Sequence, residues 1–121
     1  DGAGPPKLAE YNADTPTALY EAAVFQWLWL EDRIKAGALP ADADQFNSLH
    51  DKIIARFRAM KRMGTLHMTA FSSETEDRKT VEYLAECAAE AGQAVQLIDI
   101  ADIGLDGDGR FVDEQNRTIH A

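Results

Sequence analysis

A chain of 121 residues with 45% apolar and 27% charged side chains has the composition of an ordinary soluble globular protein and the length of one domain, enough to bury roughly two thirds of the surface its unfolded form exposes. Its 21 acidic against 12 basic residues leave a formal charge of -9, a field that repels nucleic-acid phosphates and anionic lipid and attracts metal ions or cationic ligands such as polyamines. The single cysteine, Cys87, excludes an intrachain disulfide, no apolar run approaches the ~20 residues that span a bilayer, and the N-terminus lacks a signal core, so the cytoplasm is the expected compartment. The opening at Asp1 rather than a methionine is read as the edge of a piece of something longer.

Residues 1–6 are rich in glycine and proline and predict a loop, and Lys7 to Ala13 alternates like a short strand that ends near Asp14. Thr15 before Pro16 is a good helix start, because the hydroxyl can cap free amides and proline at the first helical position loses no hydrogen bond. That helix is expected to run to about Asp32, with apolar residues on more than one face, so it should be buried on several sides. Gly37 and Pro40 mark a loop, and Asp42 with Gln45 resembles a capping box opening a second helix. Its stripe is Phe46, Leu49, Ile53, Phe57 and Met60, and Gly64 ends it.

Thr65 to Phe71 reads as a strand, Ser73 with Glu76 as a further capping box, and Val81, Leu84, Ala88 and Ala91 as a helix closed by Gly92. Ala94 to Ile100 follows as a buried strand. Strand, helix and strand make a βαβ unit with parallel strands. The turn Asp106-Gly107-Asp108-Gly109, flanked by Arg110 to Val112 and Arg117 to His120, predicts a small C-terminal hairpin. The expected fold is therefore α/β, a single domain over residues 1–121 with helices on a small, partly parallel sheet.

On a strand, Glu10, Asn12 and Asp14 share one face. Two carboxylates and an amide oxygen form a hard-oxygen set suited to Mg²⁺, while a solvated strand face leading into a helix cap explains the same residues without any ligand. The block Glu10-Tyr11-Asn12-Ala13-Asp14-Thr15-Pro16-Thr17, continuing through Ala18-Leu19-Tyr20-Glu21-Ala22, closely resembles the signature of the glutathionylspermidine synthase family, particularly homologues that lack the amidase domain. Gln26-Trp27, Asp44 to His50, Thr80 to Leu84 and Ala91-Gly92 resemble the same family, so the similarity spans nearly the whole chain.

The resemblance implies a pre-ATP-grasp portion of a larger ATP-grasp-type ligase, in which ATP activates the carboxylate of a glutathione-like acid and a polyamine-like amine attacks the acyl phosphate. It places Glu10 and Asn12 at Mg²⁺-ligand positions, with a third carboxylate ligand of the family upstream of this chain. Thr15 and Thr17 match hydroxyl positions that contact the acid substrate, although Thr15 is equally the natural helix cap. Pro16-Thr17-Ala18 stands where the better-known bifunctional members have small residues and a cysteine. Glu74, Glu76 and Asp77 fall roughly where the family places carboxylates facing the amine, and Glu76 and Asp77 are taken as candidate substrate residues. A first helical turn also favours acidic side chains for its dipole alone.

Other features carry no chemistry at this level. Asp106, Asp108 and Gly109 lack the remaining ligands of a calcium loop. His50, His67 and His120 have no metal-pair spacing, Cys87 has no basic neighbour in sequence to activate it, and Trp27 and Trp29 point to different helix faces, one expected in the core and the other against an absent part of the parent protein. No glycine-rich phosphate loop with a lysine is present, so the ATP site is expected elsewhere in the parent chain. The expected function is thus the substrate- and Mg²⁺-binding part of an ATP-dependent carboxylate-amine ligase, inactive alone. The competing expectation is a non-catalytic interaction module that retains the fold.

Overall fold

In the computed structural model, residues 4–5, 7–8, 18–45, 47–60 and 64–120 are described. The expected strand beyond Leu8, the helix start at Thr15 and Pro16, and Phe46 lie outside the described residues. The first helix is under way at Leu19, passes through a π-helical turn, Glu21–Phe25, and continues as α1, Gln26–Lys35. Within the π turn the Gln26 N–H reaches back to the carbonyl of Glu21, five residues away rather than four. The helix ends three residues later than expected, because Gly37 at φ 70° closes it. There Gly37 N–H donates to Ile34 O at 2.9 Å and Ala38 N–H to Arg33 O at 2.9 Å, which satisfies two of the last free carbonyls.

The second helix, α2, spans Leu49–Met60. The expected capping box at Asp42 and Gln45 is not its start: Asp44 Oδ1 instead accepts from the adjacent Gln45 N–H, and Asn47 Oδ1 accepts from Leu49 N–H at 3.3 Å. Asn47 is held there because its amide also donates to Ala22 O of the first helix at 3.5 Å. Tertiary contact therefore fixes Asn47 one residue before the N-cap position, Ser48, whose carbonyl accepts from Lys52 N–H at 3.1 Å. Along α2 the buried residue is Ile54, not a member of the expected stripe, while Leu49, Ile53 and Phe57 of the stripe are partly buried against the core cluster that Ile54 joins.

Strand β1, Leu66–Ala70, leads to helix α3, Thr75–Glu90, and then to β2, Val95–Asp99. The strands are parallel, in register Leu66 to Val95 through Ala70 to Asp99, so the βαβ unit is as expected. Glu74 precedes α3 without a side-chain cap bond, and the Ser73/Glu76 box does not form. At the other end Gly92, at φ 88°, permits the same closure as Gly37, with Gln93 N–H on Ala88 O at 3.0 Å and Gly92 N–H on Ala89 O at 2.9 Å.

The core is the layer where the helices meet: Ala23, Ile54, Tyr83 and Cys87, with Leu19, Tyr20 and Val24 against them. Removal of such apolar surface from water is the main stabilising term. Of β2 only Ile98 is buried, and Leu97 is 49% exposed, so the strand is less buried than expected. Alternation gives the sheet two faces. His67 and its register partner Gln96 bond to the C-terminal segment, whereas Ala70 and Leu97 border Val81 of α3.

That C-terminal segment begins with a 3-10 turn, Ile100–Asp102, and forms a meander. Strand β3, Gly104–Leu105, pairs antiparallel with β4, Phe111–Val112, and Val112 bridges on to Thr118. The hairpin exists, but the turn at 106–109 joins β3 to β4, and the expected pairing of 110–112 with 117–120 is a single bridge. No helix among the described residues is long and apolar enough to cross a membrane.

Candidate functional site

Glu10, Asn12, Thr15 and Thr17 lie outside the described residues. Glu76 and Asp77 are exposed in the first turn of α3. That turn follows β1 after a short loop, so both carboxylates stand at the C-terminal end of the parallel pair, the end at which open α/β sheets bind ligands. A crevice of about 170 Å³ opens there between Ser72, Arg78, Leu97 and Asp99.

Asp99 fixes this end of the sheet. Its Oδ2 accepts from Ser72 N–H at 2.8 Å, tying β2 to the loop that launches α3, and its Oδ1 accepts from Ala101 N–H at 2.8 Å. Contact with the Ser72 side chain, then the Ala101 and Ser72 backbone N–H groups, hold its carboxyl below the usual range. Arg78 donates from Nη1 to Glu82 Oε1 at 2.9 Å, while its Nε is buried with no hydrogen-bond partner.

A larger groove, about 510 Å³, lies between the first helix, α2 and α3, walled by Tyr20, Trp27, Asn47, His50, Asp51 and Glu86. Its floor contains a group that sequence reasoning missed. His50 Nδ1 lies 3.0 Å from the Tyr83 hydroxyl and 3.7 Å from Cys87 Sγ, and His50 Nε2 is 3.7 Å from Glu90 Oε2. Tyr83 and Cys87 stand four apart on α3 and so share a face, which was the available signal; the long-range partner His50 had none.

Burial pushes the Tyr83 hydroxyl above its ordinary pKa, and the neighbouring Cys87 thiol adds to the shift. Burial likewise raises the Cys87 thiol, with Glu90 and Glu86 adding to the effect. A thiol kept protonated and 1% exposed is neither a nucleophile nor a ready metal ligand. Trp27, at 40% exposed, borders the groove, and Trp29, at 60%, does not enter the core, so neither tryptophan is the core residue expected of one of them.

The third polar centre is Asp113, whose side chain is sealed from solvent. Its Oδ1 accepts from Gln115 N–H at 3.0 Å and Arg117 N–H at 2.8 Å, and its Oδ2 from Arg117 Nε at 2.7 Å, with His67 Nε2 at 3.2 Å. Burial raises its pKa, yet the Arg117 backbone, His67 and the Arg117 guanidinium together outweigh burial and hold it at about 2. Asp106 plays a similar part in the preceding turn, accepting from Asp108 and Arg110 N–H at 2.9 Å each, which accounts for the calcium-like spelling of that loop. Among the described residues no group of three or more His, Cys, Asp or Glu side chains is placed to hold a metal ion.

The sequence model of the family described as glutathionylspermidine synthase preATP-grasp matches residues 1–121. A protein of Haemophilus influenzae (strain ATCC 51907 / DSM 11121 / KW20 / Rd), named "Putative acid-amine ligase", is 38% identical in an alignment 120 positions long that spans 93% of this chain and 29% of that relative. The chain therefore spans under a third of that relative's length.

Proposed function

The chain belongs to the glutathionylspermidine synthase pre-ATP-grasp family, and from that premise we propose that it is the substrate- and Mg²⁺-binding portion of an ATP-dependent acid-amine ligase, inactive as an isolated piece. The observation that carries this reading is the whole-length family match, to which the relative's name adds the acid-amine class. The reaction joins a carboxylate to an amine, with ATP activating the acid. A glutathione-like acid and a polyamine-like amine are the substrates proposed, and the formal charge of -9 suits a cationic partner. The compartment proposed is the cytoplasm.

Glu10 and Asn12 supply a carboxylate and an amide oxygen, donors of the hard-oxygen chemistry that Mg²⁺ takes. When bound, the ion would neutralise phosphate charge. Thr15 and Thr17 offer hydroxyls to the acid, and Glu76 and Asp77 offer negative charge to the amine at the mouth of the sheet. The nucleotide would be held mostly by the remainder of the longer protein, which also explains the expected inactivity of these 121 residues alone.

The test is a coupled assay of the full-length protein with ATP, Mg²⁺, glutathione and spermidine, followed by mass detection of the amide. Amide formation that Glu10→Ala abolishes supports the reading. Product made equally well by Glu10→Ala overturns the metal-ligand role of Glu10, and product made by residues 1–121 alone overturns the inactivity of the isolated piece.

A further inference from the structure

The groove of about 510 Å³ between the first helix, α2 and α3 takes no part in the function proposed above, yet its size is that of a small-molecule pocket. Three aromatic side chains line it: Tyr20 and Trp27 from the first helix and Tyr83 from α3, with the rings of Tyr20 and Tyr83 5.9 Å apart. Two exposed carboxylates join them, Asp51 in the first turn of α2 and Glu86 on α3. The ion pairs among the described residues engage neither carboxylate, and no Lys or Arg among those residues lines the groove. His50 is occupied with its own partners, the Tyr83 hydroxyl at 3.0 Å and Glu90 at 3.7 Å. We propose that this groove binds a small organic cation of the substituted-ammonium class, its charge answered by Asp51 and Glu86 and its apolar surface by Tyr20, Trp27 and Tyr83.

The carboxylate fields meet at the floor of the groove. After burial and the Cys87 thiol, the charges of Asp51 and Glu86 both push the Tyr83 hydroxyl further up. An anion is therefore repelled. A bare metal ion is not served either, because among the described residues no three His, Cys, Asp or Glu side chains are placed to hold one. Aromatic faces attract a cation through the ring quadrupole, and they bury the alkyl groups of a substituted ammonium at the same time. A compact, strongly hydrated primary ammonium gains less from such walls. Glu86 stands roughly 15 Å along α3 from Glu76, so the groove and the mouth of the sheet are separate places for positive charge.

The test is a binding titration of the full-length protein at low salt, without ATP or Mg²⁺, in which the methyl proton relaxation of the probe is read. Choline is the probe, and 3,3-dimethylbutan-1-ol is its uncharged isostere. Choline should bind, and the isostere should bind at least about tenfold more weakly, having lost the attraction to rings and carboxylates. Asp51→Asn with Glu86→Gln, both exposed positions, should weaken choline at least about fivefold. The same charge change at the mouth of the sheet, Glu76→Gln with Asp77→Asn, should leave choline binding as it was. Failure of choline to bind the folded protein overturns the proposal, as does equal binding of the two compounds, which would make the groove merely apolar. Choline binding that survives loss of Asp51 and Glu86, or that disappears with Glu76 and Asp77, overturns it too. No turnover is required, so the outcome is independent of the ligase assay.

Discussion

His67 on β1 and Asp113 beyond β4 meet across a 3.2 Å contact between Nε2 and Oδ2, with the His67 side chain 7% exposed and that of Asp113 fully enclosed. This pair fastens the C-terminal meander to the sheet, and Gln96 extends the fastening by bonding to Gln115 at 3.0 Å and to Arg117. His67 Nδ1 has no partner and is buried, so the imidazole is held from one side only.

Acid should release this fastening. Asp113 has a folded-state pKa of about 2, below its ordinary 3.8, so the unfolded chain binds the proton first. Its stabilisation is complete above the ordinary value and is lost as pH falls toward about 2. Thermal midpoints measured from pH 7 downward should drop in that window, and Asp113→Asn should lower the midpoint at pH 7 while flattening the drop. Some acid sensitivity will persist, because Asp99 and Asp106 are also held low. An unchanged acid slope in Asp113→Asn would assign the effect to those two.

Tyr83→Phe deletes the hydroxyl that meets His50 at 3.0 Å and leaves the ring in place. The loss should be roughly 0.5–1.5 kcal/mol in denaturant unfolding. Because the same hydroxyl neighbours Cys87, the variant should also change the thiol's reactivity after partial unfolding, read by labelling in moderate urea.

Ile54 is 4% exposed at the meeting of α2 and α3, whereas Leu105 on β3 is 64% exposed. Ile54→Ala should cost about 2–5 kcal/mol, from lost transfer energy and the cavity left behind. Leu105→Ala should stay within about 0.5 kcal/mol. Equal costs in urea titrations would mean that Leu105 is covered in solution.

Gly92→Ala isolates a backbone effect, since a Cβ there would meet no atom within 4 Å while φ is 88°. The cost should be roughly 1–2 kcal/mol, the penalty of left-handed geometry for a residue with a side chain. Calorimetry of the variant reads it, and a neutral result would show that the cap relaxes at no cost.

Under the acid-amine ligase function proposed above, neutralising Glu76 and Asp77 together in the full-length protein (Glu76→Gln, Asp77→Asn) should raise KM for a polyamine several-fold and leave kcat nearly unchanged. Each exposed charge contributes about 1 kcal/mol or less, and the effect should fade at high salt. A change confined to kcat would move these residues from recognition to chemistry.

The parts of this fold legible in the sequence are those written in short-range chemistry. β-formers from Leu66 and Val95, and glycines at positions 37 and 92, mark strands and helix ends because each acts through its own backbone. What escaped is decided between distant segments. Asn47 displaces Asp42 as the helix-start residue through a carbonyl 25 positions away, and His50 finds Tyr83 across 33 positions. Asp113 reads as one more loop aspartate until His67, 46 positions earlier, closes on it. The candidate site divides in the same way: Glu76 and Asp77 stand in the helical turn where the sequence puts them, while Glu10, Asn12, Thr15 and Thr17 rest on family likeness.

Both tryptophans of the chain, Trp27 and Trp29, sit on the first helix, and α3, the sheet and the meander contain none. Intrinsic fluorescence of these residues is consequently a local gauge. A melting curve followed by tryptophan emission reports the departure of the first helix, whereas far-ultraviolet dichroism is weighted by the 16 residues of α3 and the 12 of α2. Coincidence of the two curves would show that helix and βαβ unit unfold as one cooperative body. An earlier fluorescence transition would identify the first helix as a separately melting flap.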